Sequence, residues 1–399
     1  MRRRVIGLVV ADSGGSPLAA LGSPDLLALT PFAGQYRLVD FALAALHNAG
    51  VRDTYVLAPG PSVPALRAYL EDRPSTARPS RRRIVIPVPG PLPCGRVARL
   101  AQVLAAGHHL LRVLRADTMV ALSADHLLAL DVAHILATHQ HLGAAVTLVG
   151  LPMGATAAAG RLGLETNARG RLTATRRVPA STPPAVVTTW TGEAVVAAAA
   201  LPALLAAATR PGESAALAAL ARRCDVAVYD AGENRIPGTT ARGLYWYEPR
   251  GLDGYYGAQM DLCTGRPGLD LYNPEWPVRA PTGALPPAKV MTDRAGRAGQ
   301  ALDSLVSDGT VICGGTVARS IVGRGVVVDG GAEVEDSILL DGCRIGPGAR
   351  IRRAVVGCGV QVGGDETIGY DTPPAAPARV LRSGLTLVPP SLAAVRHVG

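Results

Sequence analysis

Apolar positions in the first 150 residues fall into two textures. Short unbroken runs, Val5–Val10, Thr54–Ala58, Arg83–Val88, Met119–Ser123 and Ala144–Leu151, read as strands buried on both faces. Between them lie stretches of helical period, Leu38–Asn48, Val63–Leu70, Val97–Val113 and Val132–His141. This alternation predicts parallel β-α-β units and hence a doubly wound α/β domain, with ligands bound at the carboxyl ends of its strands. The pattern continues less regularly from 155 to 250, where the Ala-rich stretch Glu193–Thr209 is predicted as a helix.

The texture changes after a Pro-rich segment, Pro277–Pro287. Apolar residues then recur six apart at Val311 and Val317, at Val322, Val328, Val334 and Leu340, at Ile345 and Ile351, and at Val356, Val362 and Ile368. Gly, Asp, Ser and Cys fill many positions between. A six-residue period with small turn residues predicts a parallel β-helix. Its coils are irregular, because the phase slips by one residue after Val317, Leu340 and Ile351. The chain therefore divides into an α/β domain (1–276), a linker (277–303) and a β-helix with a closing strand (304–399).

Composition narrows the class. The chain has 399 residues, 48% of them hydrophobic, and a mean hydropathy of +0.22. Its longest apolar stretch, Ala194–Ala208, is broken by Pro202 and is shorter than the roughly 20 residues that span a bilayer. Met1-Arg2-Arg3-Arg4 leads into a strand rather than an apolar leader segment, so the expectation is a cytoplasmic protein without a membrane partner. The six cysteines are scattered with no C-x-x-C pair, which predicts free thiols in a reducing compartment. The net charge of +9 is spread over short clusters (Arg2–Arg4, Arg81–Arg83, Arg222-Arg223, Arg352-Arg353), and aromatic content is only 4%. No nucleic-acid module is present, so these clusters are read as solvated surface or as contacts for phosphorylated metabolites. Lys289 is the only lysine in the chain.

The first strand runs into Ala11-Asp12-Ser13-Gly14-Gly15-Ser16-Pro17-Leu18, and Pro31-Phe32-Ala33-Gly34-Gln35-Tyr36-Arg37-Leu38-Val39-Asp40-Phe41-Ala42-Leu43 follows. These segments resemble the opening of ADP-glucose pyrophosphorylase (glucose-1-phosphate adenylyltransferase) of bacterial glycogen synthesis. There the pattern is L-A-G-G-x-G-T-R-L, then A-K-P, then P-F-G-G-K-Y-R-I-I-D-F-A-L. The resemblance continues through Ser123-Ala124-Asp125-His126 (S-G-D-H), Arg161-Leu162-Gly163 (R-F-G), Tyr245-Trp246-Tyr247-Glu248 (Y-W-R-D) and Leu252–Leu262. Leu271–Pro277, Pro286–Lys289, Ser304–Gly309 and Ser383–Val388 extend it to the end of the repeat. It implies a Rossmann-like nucleotidyltransferase domain followed by a left-handed parallel β-helix, in an oligomer. The implied reaction is attack of a sugar phosphate on the α-phosphate of ATP, with release of pyrophosphate.

An anion attacking an anion needs cations on both partners and a bridging metal. The phosphate loop is expected at Ala11, Asp12, Ser13, Gly14 and Gly15, where backbone amides would face phosphate oxygens. Asp12 opposes that charge and reads first as a turn or cap residue. Pro17 stands at the motif's arginine, and Leu27 and Gln35 stand at its two lysines. On the sugar-phosphate side Gly163 and Arg177 remain, but E-K-P has become Arg177-Val178-Pro179, and W-Y-x-G-T-A-D has become Leu92–Ala98. For metal, the resemblance implies a Mg²⁺ site at Asp125 and Glu248, the latter one methylene longer than the family's aspartate. His134, His139 and His141 do not share a helix face, and Phe32 and Phe41 read as core.

Two readings follow. One is a catalytically impaired or regulatory member that binds nucleotide sugar or sugar phosphate and pairs with itself or with an active paralogue. The other is an active adenylyltransferase with a rebuilt cation set drawn from Arg37, Arg96, Arg99 or Arg177.

Overall fold

A computed structural model describes residues 4–11, 18, 21, 26–71, 82–88, 98–102, 116–180, 186–240, 242–249, 251–264, 268–280, 285–370 and 378–390. The first strand, β1 (Val5–Val10), is followed by a small hairpin, β2 (Pro31–Phe32) and β3 (Tyr36–Arg37), which leads into helix α1 (Leu38–Asn48). The helix begins where Asp40 accepts a hydrogen bond from the Arg37 backbone N–H at 2.9 Å, and it covers the expected residues. It lies so close to β1 that a Cβ on Gly7 would meet Leu46 Cδ1 at 2.6 Å. Strands β4 (Asp53–Pro59), β5 (Arg82–Val88) and β6 (Thr118–Ser123) join β1 in parallel, as β-α-β connections require. Of the expected helix Val97–Val113, residues 98–102 are helical and the remainder lies outside the described residues.

The next part of the chain turns antiparallel. A short β7 (Leu127–Ala129) and the helix Val132–Leu142 lead to β8 (Val146–Gly154), β9 (Leu162–Thr166), β10 (Leu172–Arg177) and β11 (Val186–Ala197). The main sheet runs β10-β9-β11-β6-β1-β4-β5, with β11 antiparallel to β6 and β8, and β12 (Val226–Asp230) parallel to β8. The predicted helix Glu193–Thr209 is therefore corrected. Glu193–Ala197 is strand, and the α-helix is confined to Leu201–Ala208. Alanine favours a helix in isolation, but this segment is paired on both sides and buried, and tertiary pairing overrides the local preference. Trp190, fully buried in β11, anchors the core on that side.

β13 (Tyr245–Tyr247) pairs antiparallel with β7 to form a separate two-stranded ribbon. The helix Leu252–Met260 follows and, with the β2–β3 hairpin, packs the α/β domain onto one face of the C-terminal repeat. Phe32 and Phe41 meet edge-on there, 5.6 Å apart, as core residues. Tyr256 donates from its hydroxyl to the Asp336 carbonyl at 2.6 Å across the same seam.

The repeat is a parallel β-helix of three stacked sheets. In one of them, Val311–Cys313, Val327–Val328, Arg344–Ile345 and Gln361–Val362 lie in register. The coils begin with Lys289–Met291 and Gln300–Leu302, inside the segment read as linker. At one corner Asp303, Arg319, Asp336 and Arg353 all adopt positive φ (45–48°), giving coils of 16 or 17 residues instead of three full hexads. The short third side is the origin of the phase slips. Ile312 and Leu339 fill the helix interior, whereas Leu340 faces the α/β domain. Beside that corner Ser304, Ser320 and Ser337 form a ladder, each Oγ accepting a backbone N–H from the coil above at 3.0–3.1 Å.

Candidate active site

The carboxyl ends of β1 and β6 are in register, Val10 beside Ser123, so Ala11 and Asp125 emerge side by side at the edge where ligands bind in such sheets. Ala11, the first residue of the expected phosphate loop, is buried and donates its N–H to Leu57 O at 2.9 Å. Asp12, Ser13, Gly14 and Gly15, together with Pro17, lie outside the described residues. Asp125 is turned back by its own N–H to Ser123 Oγ bond at 3.2 Å, and Arg99 reaches within 3.9 Å of its carboxylate.

The residue after Asp125 gathers the rest of the site. The buried His126 ring lies between two carboxylates, with Nδ1 3.1 Å from Glu193 Oε1 and Nε2 3.6 Å from Glu248 Oε1. The second oxygen of Glu248 accepts from Arg161 Nη1 at 2.9 Å. Trp246 backs both cations, with the Arg161 guanidinium carbon 4.8 Å from its ring centroid and the His126 ring edge-on at 5.0 Å. Burial opposes a charge on His126, but the Glu193 and Glu248 carboxylates outweigh it and hold the pKa up at about 9. At neutral pH the group is thus an imidazolium between two anions, and Glu248 faces a cation at each oxygen.

Glu248 thus contacts His126, the residue after Asp125. Gly163 lies in β9, where a Cβ would press at 3.3 Å on Arg176 O, Val178 Cγ2 and Val187 Cγ1, so close strand packing accounts for the glycine. Arg177 is exposed at the neighbouring edge and donates to the Gly160 carbonyl at 3.0 Å. Arg37 is taken out of the site altogether, since its guanidinium pairs with Asp341 of the β-helix at 2.7 Å. Leu27 packs against the cluster between the two domains, and Arg96 lies outside the described residues. His139 bonds Thr147 Oγ1 at 2.8 Å, and His134 bonds the Tyr229 hydroxyl at 3.0 Å.

Sequence reasoning missed three members: Glu193, Arg161 as a partner of Glu248, and His126. Glu193 was hidden by the helix assignment. The S-A-D-H and R-L-G segments held the other two, without a signal for their contact.

Comparison with known proteins covers both parts of the chain. A family model described as "GlmU-like, C-terminal hexapeptide" matches residues 286–388. Over 387 residues the chain is 32% identical to glucose-1-phosphate adenylyltransferase of Frankia casuarinae, covering 92% of each chain. Its identity to the Leifsonia xyli enzyme of the same name is 30% over 409 residues, 97% of each. The chain belongs to the glucose-1-phosphate adenylyltransferase family. A Deinococcus radiodurans relative of that name is 30% identical over 394 residues, 93% of this chain and 94% of its own. The similarity to the adenylyltransferases thus spans both the sheet that carries Asp125 and the β-helix that holds Arg37 in place. Among the described residues no helix is long and apolar enough to cross a membrane.

Proposed function

We propose that this adenylyltransferase-family chain binds nucleotide sugar or sugar phosphate with its turnover impaired, and acts in an oligomer with itself or an intact paralogue. The observation that carries the reading is the state of Glu248. A divalent ion needs carboxylate oxygens with charge to spare, yet Arg161 at 2.9 Å and His126 at 3.6 Å already face both oxygens of this one. Asp125 in turn has Arg99 beside it. As arranged, the pair does not fit a resident Mg²⁺. Loss of the loop arginine to Pro17 and of the lysines to Leu27, Gln35 and Val178 points the same way. Losing one transition-state cation commonly lowers the rate on the order of 10³-fold.

The second reading, an active enzyme with rebuilt cations, is favoured by one observation: Arg99 lies 3.9 Å from Asp125. The deciding experiment supplies purified protein with ATP, glucose 1-phosphate and Mg²⁺ and measures pyrophosphate. The expected result is release no higher than background. Robust release that Asp125→Asn abolishes would overturn the proposal in favour of the active enzyme.

A further inference from the structure

We infer that this site takes its phosphate ligand without a divalent metal, because Arg161 stands as a fixed cation in the metal's place at Glu248. The inference rests on the binding of nucleotide sugar or sugar phosphate proposed above, and adds what neutralises the phosphate there.

Arg161 is held in place by its neighbours. Its Nε donates to the Ala157 carbonyl at 3.3 Å and its Nη1 to Glu248 Oε2 at 2.9 Å. The Trp246 ring backs the guanidinium, whose carbon lies 4.8 Å from the ring centroid. Its backbone belongs to a turn stapled to the expected sugar-phosphate side. Val178 N–H donates to Arg161 O and Gly160 N–H to Val178 O, both at 2.9 Å, while Arg177 Nη1 donates to Gly160 O at 3.0 Å. A planar fork of donors fixed in this way has little side-chain freedom left to lose when an anion arrives.

The place is where a ligand of this fold arrives. His126, three residues beyond the end of β6, lies 3.6 Å from the other oxygen of Glu248, so the Arg161–Glu248 pair stands by the carboxyl edge of the parallel strands. Asp125 repeats the arrangement more loosely, with Arg99 at 3.9 Å. The charge on Glu248 then separates two modes of binding. A carboxylate that ligates Mg²⁺ ties the ion to the phosphate, so removing that carboxylate weakens the ligand. A carboxylate paired with a guanidinium repels the phosphate and competes with it for the same N–H donors, so removing it strengthens the ligand. The sign of one substitution decides between them.

The test titrates the full chain calorimetrically with glucose 1-phosphate and with ADP-glucose, in EDTA and again in millimolar Mg²⁺. The expected dissociation constants agree within about twofold between the two conditions. In EDTA, Glu248→Gln tightens both ligands by about threefold or more, and Arg161→Gln weakens both by about tenfold, with part of the loss recovered in Arg161→Lys. Should Arg161→Gln fail to fold, Glu248→Gln, which keeps the side chain's size, still carries the test. Electron paramagnetic resonance of added Mn²⁺ reads the metal side without ligand or turnover, and the expected result is an undiminished free-ion signal. Binding that requires Mg²⁺, Glu248→Gln that weakens the ligands, or stoichiometric Mn²⁺ uptake that Glu248→Gln removes would overturn the inference while leaving the proposed binding intact. No binding of either ligand in either condition would overturn that proposed binding, and the metal-free mode with it.

Discussion

Removing the Arg37 guanidinium tests whether this residue belongs to the seam between domains or to phosphate chemistry. Arg37 and Asp341 are 2.7 Å apart, with side chains only 13% and 16% exposed. Asp341 also accepts the Arg324 backbone N–H at 2.9 Å. In Arg37→Met the carboxylate keeps that amide but loses its counter-ion in a largely desolvated place, a change that costs about 3–5 kcal/mol. Asp341→Asn leaves the guanidinium stranded at a similar cost, while the amide oxygen can still accept from Arg324. The double variant strands neither charge, so its loss should fall short of the sum of the single losses by about 2 kcal/mol or more. The assay is urea denaturation of all four proteins, followed by both domain-specific fluorescence and circular dichroism. Arg37→Met within about 0.5 kcal/mol of the parent, or strictly additive losses, would refute the reasoning. A loss of nucleotide or sugar-phosphate binding without any loss of stability would return Arg37 to the active site.

Two further outcomes follow from the same accounting. His126 has its pKa raised from 6.5 to about 9, so its ion pairs stabilise the fold fully below pH 6.5 and lose that contribution as pH rises through about 9. The span amounts to on the order of 3 kcal/mol, and His126→Asn should flatten the fall in denaturation midpoint between pH 6.5 and 9.5. In the β-helix, Ser320→Ala removes the acceptor for the buried Ser337 N–H at 3.0 Å and should cost about 1–3 kcal/mol by thermal melting; a smaller effect would mean the ladder is dispensable.

Much of the fold could be read from apolar spacing because burial on both faces leaves unbroken runs, as in β1, and burial on one face leaves a helical stripe, as in α1. The β-helix was legible for the same reason, though not its coil length. A positive-φ corner occupied by Asp303, Arg319, Asp336 and Arg353 carries none of the glycine signal that usually marks such turns. Glu193 was unreadable because local composition favours a helix there, while the pairing that makes it a strand comes from β6 and β8, far away in sequence. The candidate site was legible as positions and illegible as pairs. Nothing in the spacing of Glu248, 87 residues from Arg161, signals that the two share a hydrogen bond.

Persistence of a family motif is weak support for persistence of its chemistry when the residue also has packing to do. Gly163 is such a case, since three neighbours crowd the place of its missing Cβ. The lost lysine of E-K-P shows the converse. Val178, which stands there, is 2% exposed, its Cγ2 lies against that missing Cβ, and its N–H bonds Arg161 O at 2.9 Å. The position has been absorbed into the core, so the change is not reversed by restoring the residue. Val178→Lys would place an ammonium in a space shaped for an isopropyl group, and should cost on the order of 3 kcal/mol with no gain in pyrophosphate release. If the variant instead matched the parent's denaturation midpoint and released pyrophosphate, the position would still open onto the active site. A single lysine would then separate this chain from a working adenylyltransferase.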